Sequence, residues 1–327
     1  MPENLRNLVA RLSGQRVIVL GDVILDEYLI GRATRMSREA PVPVLEFEER
    51  RLIPGGAANP AANICALGST AVLVGVRGDD SEGTTLQAVL HEHGIDAHLP
   101  FDGRATTVKT RVMAQMGLRF PQQVARLDKI SRETISRETE KELITLLEQQ
   151  IASTNAALLS DYHVGLLTQP LIDAARNAAN QARIPATADA QGALDKYIGF
   201  TVVKCNADEA RAYLRRDLES NTDFAEAALE LCKKLALTLG MVITRGADGA
   251  TVGSADGSTI HCPAPAITDV FDTVGAGDTA IAVITLALAA GASLVDATTL
   301  ANTASGIVVR RVGNYAPTPE ELLAALI

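Results

Sequence analysis

The sequence predicts an α/β protein built in three layers, a mostly parallel sheet covered by helices on both faces, with a small β-sheet lid. Short aliphatic or β-branched runs at 16–20, 71–76, 157–160, 185–188, 201–203 and 241–244 alternate with helix-length stretches, the pattern of βαβ units. The first run ends on Gly21-Asp22, polar residues at the strand end where ligands gather in parallel sheets. Two other stretches, 24–48 and 106–127, alternate apolar with polar residues and read as insertions that leave the core.

Taken in order, 16–20 is a buried strand, and 24–30 and 42–48 are peripheral strands joined by a segment carrying Arg32, Arg35 and Arg38. Gly55-Gly56 opens a helix of small residues through Asn59, Asn63 and Leu67, and 71–76 is the next buried strand. A helix over 81–93 precedes the alternating strand 106–114 and its neighbour 124–127. Ser136 caps a long helix ending near 150. Strand 157–160, helix 168–182, strands 185–188 and 201–203, helices 207–214 and 223–239, and strand 241–244 complete the alternation. The most apolar stretch, 280–295, is interrupted by Thr285, Gly291 and Ser293 and falls short of the ~20 residues that span a bilayer, so it reads as a buried helix. With no Pro- or Gly-rich linker and no long-period repeat, residues 1–327 are expected to form a single domain, its lid built by insertions near 24–50 and 104–128.

Composition excludes several function classes. Thirty basic residues against 39 acidic ones give a net charge of −9, the wrong sign for coating nucleic acid. The four cysteines are far apart with no C-x-x-C pair, the five histidines show no H-E-x-x-H spacing, and the N-terminus lacks the apolar run of a signal peptide. A cytoplasmic location, with neither membrane nor nucleic acid as partner, is the expectation.

The sharpest signal is Asp272-Thr273-Val274-Gly275-Ala276-Gly277-Asp278, directly before the apolar helix. Gly275 and Gly277 let backbone approach a ligand, and the helix that follows presents unpaired N–H groups and the positive end of its dipole, a setting that invites an anion. A carboxylate there repels phosphate unless it takes a proton from an attacking hydroxyl, which makes Asp278 a general base for phosphoryl transfer. Gly275-x-Gly277-x-x-Ala280 also satisfies the dinucleotide fingerprint, but no second strand leads to the acidic position near Asp296. A P-loop is absent because the chain has no Gly-Lys pair. A plain tight turn before a core helix is the remaining reading.

The 272–278 motif resembles the C-terminal signature of ribokinase-like (PfkB) carbohydrate kinases. Pro54-Gly55-Gly56-Ala57-Ala58-Asn59 resembles that family's di-glycine signature, Asn206-Ala-Asp-Glu209 its Asn-x-x-Glu motif, and Thr244-Arg245-Gly246 its nucleotide-side turn. Gly21-Asp-Val-Ile-Leu-Asp26, Glu39-Ala-Pro-Val-Pro-Val44, Ser160-Asp-Tyr162 and Val274-Gly-Ala-Gly-Asp-Thr279 together resemble the heptose 7-phosphate kinase branch, in its stand-alone form without a fused nucleotidyltransferase half. Asp189-Ala-Gln-Gly192 departs from a family-like Asp-Pro-Lys-Gly, and Cys205 stands where proline often precedes Asn206.

The resemblance implies ATP-dependent phosphorylation of a heptose 7-phosphate at its anomeric hydroxyl, a step toward lipopolysaccharide core sugar. It implies that Asp26, Gly55, Gly56, Asn59 and Asp161 bind the sugar, with Asp22 equally readable as a turn or cap residue. Asn206 and Glu209 would organise Mg²⁺ through water, Thr244 and Gly246 would line the nucleotide side, and Asn302 would approach the adenine. Asp272 with the loop at Gly313 is the place for a monovalent cation such as K⁺. Lys109 and Arg111, two apart in one strand, are expected to clamp the substrate's phosphate, with Arg35 and Arg38 adding to the field. A homodimer through the lid strands is expected as well. Two other readings stay open, a different ribokinase-like sugar or nucleoside kinase and a catalytically silent sugar-binding regulator.

Overall fold

Every parallel strand buried on both faces needs helices on both sides, and this chain supplies them in alternation. A computed structural model of the chain describes residues 2–115, 121–267 and 269–326, so residues 116–120 of the second lid stretch lie outside the described residues. In chain order the elements are α1 (Pro2–Leu12), β1 (Arg16–Gly21), β2 (Val23–Met36), β3 (Pro43–Gly56), α2 (Ala58–Ala66), β4 (Thr70–Val74), α3 (Ser81–Glu92) and β5 (Asp96–His98). Then come β6 (Val108–Gln115), β7 (Gln122–Lys129), α4 (Arg137–Ile151), β8 (Ala156–Asp161), α5 (Gln169–Ala182), β9 (Ala186–Ala190) and β10 (Val202–Asn206). The last are α6 (Ala207–Leu214), α7 (Asn221–Lys234), β11 (Gly240–Thr244), β12 (Ala250–Ser254), β13 (Thr259–Cys262), α8 (Ala276–Ala289), α9 (Leu294–Val308) and α10 (Pro319–Ala325).

Among the described residues a nine-stranded sheet runs β13-β12-β11-β10-β9-β8-β1-β4-β5, and only β12 and β13 pair antiparallel. Strand β1 shows why both faces are covered. Val17 and Val19 join a cluster with α2, α8 and α9, while Ile18 and Leu20 join one with α4, α5 and α7 on the opposite face. Helix α8 is buried from Asp278 to Leu288, which explains an apolar run too long for one amphipathic stripe. The smaller sheet, β3-β2-β6-β7, stands off the main one and is joined by a parallel β2–β6 pairing.

The differences from expectation have local causes. Gly55 and Gly56 end β3 rather than opening α2, because they pair in register with Ile24 and Val23. The helix predicted for 223–239 stops at Lys234, after which Ala236 takes a φ of 47°. Strands β12 and β13 went unpredicted since β12 reads Ala-Thr-Val-Gly-Ser, small residues with little strand signature.

The strand ends point one way, delivering Asp22, Asp161, Asp189, Asn206 and Thr244 to one edge of the sheet. Asp22, the residue equally readable as a turn or cap, has a structural task there. It is 4% exposed, and its carboxylate accepts backbone N–H bonds from Tyr162 (2.9 Å), Val164 (3.0 Å) and Leu166 (3.1 Å), pinning the loop after β8 to the end of β1. Each buried N–H left unpaired costs ~1–3 kcal/mol, so Asp22→Ala is expected to lower the unfolding free energy by about 3 kcal/mol or more. Urea denaturation measures this, and an unchanged midpoint would show that the loop is anchored elsewhere.

Candidate active site

Helix α8 begins without a side-chain cap. Gly275 precedes it at a φ of 81°, and a Cβ there would lie 2.9 Å from both Asn314 Oδ1 and Asn59 Nδ2, so glycine is needed for geometry and for space. The first-turn N–H groups are therefore left to an outside acceptor, although Ala276 N–H makes a long 3.4 Å contact with the Thr273 carbonyl. Asp278 sits in this first turn, 7% exposed. Asn59 Nδ2 donates to its Oδ2 at 2.7 Å and the Tyr162 hydroxyl donates to its Oδ1 at 2.6 Å. Burial pushes the Asp278 carboxyl up to about 6 and the Asp189 charge adds to this, against the two hydrogen bonds and Lys204. A second rung fixes the two helices, since Asn63, four residues beyond Asn59, accepts from Thr279 Oγ1 at 2.9 Å.

On one side of Asp278 lies a cavity of about 540 Å³, bordered by Lys204, Asn206, Glu209, Thr244, Gly246 and Gly277. Lys204 was not anticipated. It is 4% exposed, pairs with Asp189 at 2.8 Å, and its Nζ lies 3.3 Å from where a Gly277 Cβ would be. Burial pulls the Lys204 ammonium down, but the Asp189 carboxylate outweighs it and keeps the lysine charged. Gln191, where a family-like lysine was missed, lines the same cavity. Asn206 and Glu209 form a reciprocal capping box on α6, Asn206 Oδ1 accepting from Glu209 N–H at 2.9 Å and Glu209 Oε2 from Asn206 N–H at 2.7 Å.

On the other side is the lid. Asp26, 4% exposed, pairs with Arg111 at 2.5 Å and accepts from Asn314 Nδ2 at 2.9 Å. Gly55 lies so close to Asp26 that a Cβ would collide with the carboxylate. The expected two-cation clamp is thereby altered, because Arg111 is 8% exposed and committed to Asp26. Lys109 lies on the same lid face, 4.8 Å above the Tyr162 ring, and among the described residues it makes no ion pair. Burial holds its ammonium below the ordinary lysine range.

Several expected residues are not brought together. Asp161 is 2% exposed and its oxygens accept from Tyr197 (2.8 Å), Lys196 (3.0 Å) and His163 N–H (2.9 Å), which anchors the loop after β8. Arg38 is exposed in the turn after β2, and Met36, where β2 ends, lies roughly 30 Å from Asp26 at ~3.3 Å per residue. Arg35 is exposed near the same end. Asn302 spends its amide on the Cys262 carbonyl at 2.8 Å, tying α9 to β13. Asp272 does meet Gly313, but by accepting its N–H at 2.9 Å together with that of Val274 at 3.0 Å. Of the unpredicted residues, Tyr162 lies inside the Ser160-Asp-Tyr162 segment, Lys204 follows the strand expected over 201–203 directly, and nothing in the sequence marks Asn314.

A dry carboxylate beside free helix N–H groups, with a cavity on one face and a polar lid on the other, is built to move a phosphoryl group to a hydroxyl. Such an arrangement defines a class, the phosphotransferases that use an alcohol group as acceptor. More particularly, residues 15–321 match the model of the pfkB family carbohydrate kinases, and the chain belongs to that family. Among curated proteins it is 39% identical over 329 residues to the bifunctional protein HldE of Caulobacter sp. (strain K31) and 37% identical over 327 residues to that of Geobacter metallireducens. Each alignment covers 99% of this chain and 65% of the relative, so the chain spans less than two thirds of their length. Among solved structures, phosphofructokinase-2 from Escherichia coli in complex with substrates and products superposes with a TM-score of 0.76 at 20% identity, covering 96% of this chain and 98% of that one. Arabidopsis thaliana ribokinase complexed with ribose and ATP gives 0.71 at 19% identity, covering 96% and 99%. Both show a ribokinase-like fold. No helix among the described residues is long and apolar enough to cross a membrane.

Proposed function

We propose that the chain transfers the γ-phosphoryl group of ATP to the anomeric hydroxyl of a heptose 7-phosphate, giving a heptose 1,7-bisphosphate and ADP, in the supply of lipopolysaccharide core heptose. The observation that carries the transfer is Asp278, a buried carboxylate hydrogen-bonded on both oxygens in the first turn of an uncapped helix. The choice of sugar is supported by the motifs shared with the heptose 7-phosphate kinase branch and by the relatives named HldE.

In this reading the anomeric O–H donates to Asp278, the oxygen attacks the γ-phosphorus, and the bond to the β-phosphate bridging oxygen breaks as ADP leaves. The N–H groups at Gly275, Ala276 and Gly277 hold the transferred group, and Lys204 supplies from β10 the positive charge that Gln191 does not. Asp26, oriented by Arg111 and Asn314, accepts sugar hydroxyls over Gly55 and Gly56, while Asn59 positions the base. Thr244 and Gly246 border the nucleotide side. Asn206 and Glu209 offer oxygen donors only, and no group of three or more His, Cys, Asp or Glu gathers around a metal position among the described residues, which suits an ion held through water. Bound Mg²⁺ supplies charge neutralisation on the phosphates. A K⁺ ion beside Asp272 is compatible with the loop at Gly313.

Lys109 is the lid residue suited to the 7-phosphate, being half-buried and in no ion pair among the described residues. The outer face of the same sheet aligns Leu29, Val112 and Ala125, with Leu127 72% exposed and Phe47 69% exposed, an apolar surface that a second copy's lid covers in a homodimer.

Three outcomes follow. Coupled detection of ADP with heptose 7-phosphates, sedoheptulose 7-phosphate, fructose phosphates, ribose and adenosine should give the highest kcat/KM for a heptose 7-phosphate, and Asp278→Asn should lower kcat by ~10²–10⁴. Preference for another acceptor would replace the sugar, and no turnover with any would favour a silent binding protein. Lys109→Ala should raise KM for the phosphorylated sugar ~10-fold or more, the worth of one charge-assisted bond at ~1.5–3 kcal/mol, with KM for ATP unchanged. Light scattering should return a dimer at micromolar concentration, and Phe47→Asp with Leu127→Asp a monomer; a monomeric parent refutes the lid contact.

A further inference from the structure

Tyr162 is the residue through which the two halves of the site touch. Its hydroxyl donates to Asp278 Oδ1 at 2.6 Å, and its ring carries the Lys109 ammonium 4.8 Å from its centre. The backbone is held as firmly, since Tyr162 N–H donates to the buried Asp22 carboxylate at 2.9 Å. Of the two side chains that donate to Asp278, Asn59 and Tyr162, it is Tyr162 whose ring meets the lid lysine.

We propose that Tyr162 is a positioning residue that keeps Asp278 ionised and aimed, and that it passes the charge of Lys109 on the lid to that carboxylate. This rests on the reading of Asp278 as the base. A cation over an aromatic face draws electron density from the ring, which makes the phenol a stronger donor to an anion. The phenol cannot compete for the proton, because burial and the Asp278 charge hold it protonated well above its ordinary range. Each carboxylate oxygen retains a lone pair, so a substrate hydroxyl can bind while Asn59 and Tyr162 stay in place.

The other charges around Asp278 come from every neighbouring element. Asp189 on β9 opposes its ionisation and Lys204 on β10 favours it, while on the lid Lys109 lies over the Tyr162 ring and Arg111 pairs with Asp26. The Asp189–Lys204 pair is bonded at 2.8 Å, and of the two Asp189 acts the more strongly on Asp278. Lys109 has its main electrostatic partners in Asp26, Arg126, Asp128 and Arg111, and its ammonium lies over the Tyr162 ring.

The test is a double-mutant cycle read by pH. In the parent, the ¹³C-carboxyl titration of Asp278 in ligand-free protein should have a midpoint near about 6, and the acidic limb of kcat with heptose 7-phosphate should report the same carboxyl in the substrate complex. Tyr162→Phe keeps the ring and removes the donor, so both midpoints should rise by about one pH unit, with kcat returning to near the parent's value at high pH. Lys109→Met should raise the midpoint by a smaller amount, and that rise should shrink in the Tyr162→Phe background. An unchanged midpoint in Tyr162→Phe, or a kcat loss equal at every pH, overturns the positioning role. An equal Lys109→Met shift in both backgrounds overturns the link to the lid. Should no sugar phosphate be turned over, the carboxyl titration still decides the inference, so its failure is separable from failure of the proposed reaction.

Discussion

Keeping one carboxylate ionised in a place that water barely reaches is the constraint on which the rest of the site depends. Asp278 is 7% exposed, and burial alone favours its neutral form. What opposes this is assembled from distant parts of the chain: Asn59 from α2, Tyr162 from the end of β8, Lys204 from β10 and the N-terminal end of the α8 dipole. The result is a carboxyl near 6 rather than in the usual acid range, poised to accept a proton at neutral pH.

The fold pays for this by using other buried carboxylates as struts. Asp22 gathers three backbone N–H groups of the 162–166 loop, and Asp161 holds the same loop through Tyr197 and Lys196. Together they fix the backbone that carries Tyr162. The Asn59–Asp278 and Asn63–Thr279 bonds lock α2 to α8 in the same way, and a helix of small residues lets them approach. Asp26 is the lid's counterpart, a buried acid matched by Arg111.

What was legible in the sequence follows from local physics. The alternation of aliphatic strands with helices stated the three layers, and an aspartate opening an otherwise apolar helix marked Asp278 because nothing structural requires it there. Asn59 and the glycines beside it were legible through their motif. The roles of Asp22 and Asp161 were not, since a buried carboxylate reads alike whether it meets a sugar or a backbone, and their partners are set by the turn after β8. The pairing of Arg111 with Asp26 depends on the β2–β6 register, and the Asn314 bond to Asp26 joins residues 288 apart. Neither contact has a local signal. Lys204 was not legible either, since it lies just past the strand expected over 201–203 and only the longer β10 buries it.

The account is tested most directly by a crystal structure with a non-hydrolysable ATP analogue and a heptose 7-phosphate. It predicts the anomeric oxygen at ~2.6–3.2 Å from an Asp278 carboxylate oxygen, with the terminal phosphate of the analogue over the N–H groups of Gly275–Gly277 and beside Lys204. A sugar oxygen held by another residue, with Asp278 still enclosed by Asn59 and Tyr162 and touching neither ligand, would contradict it.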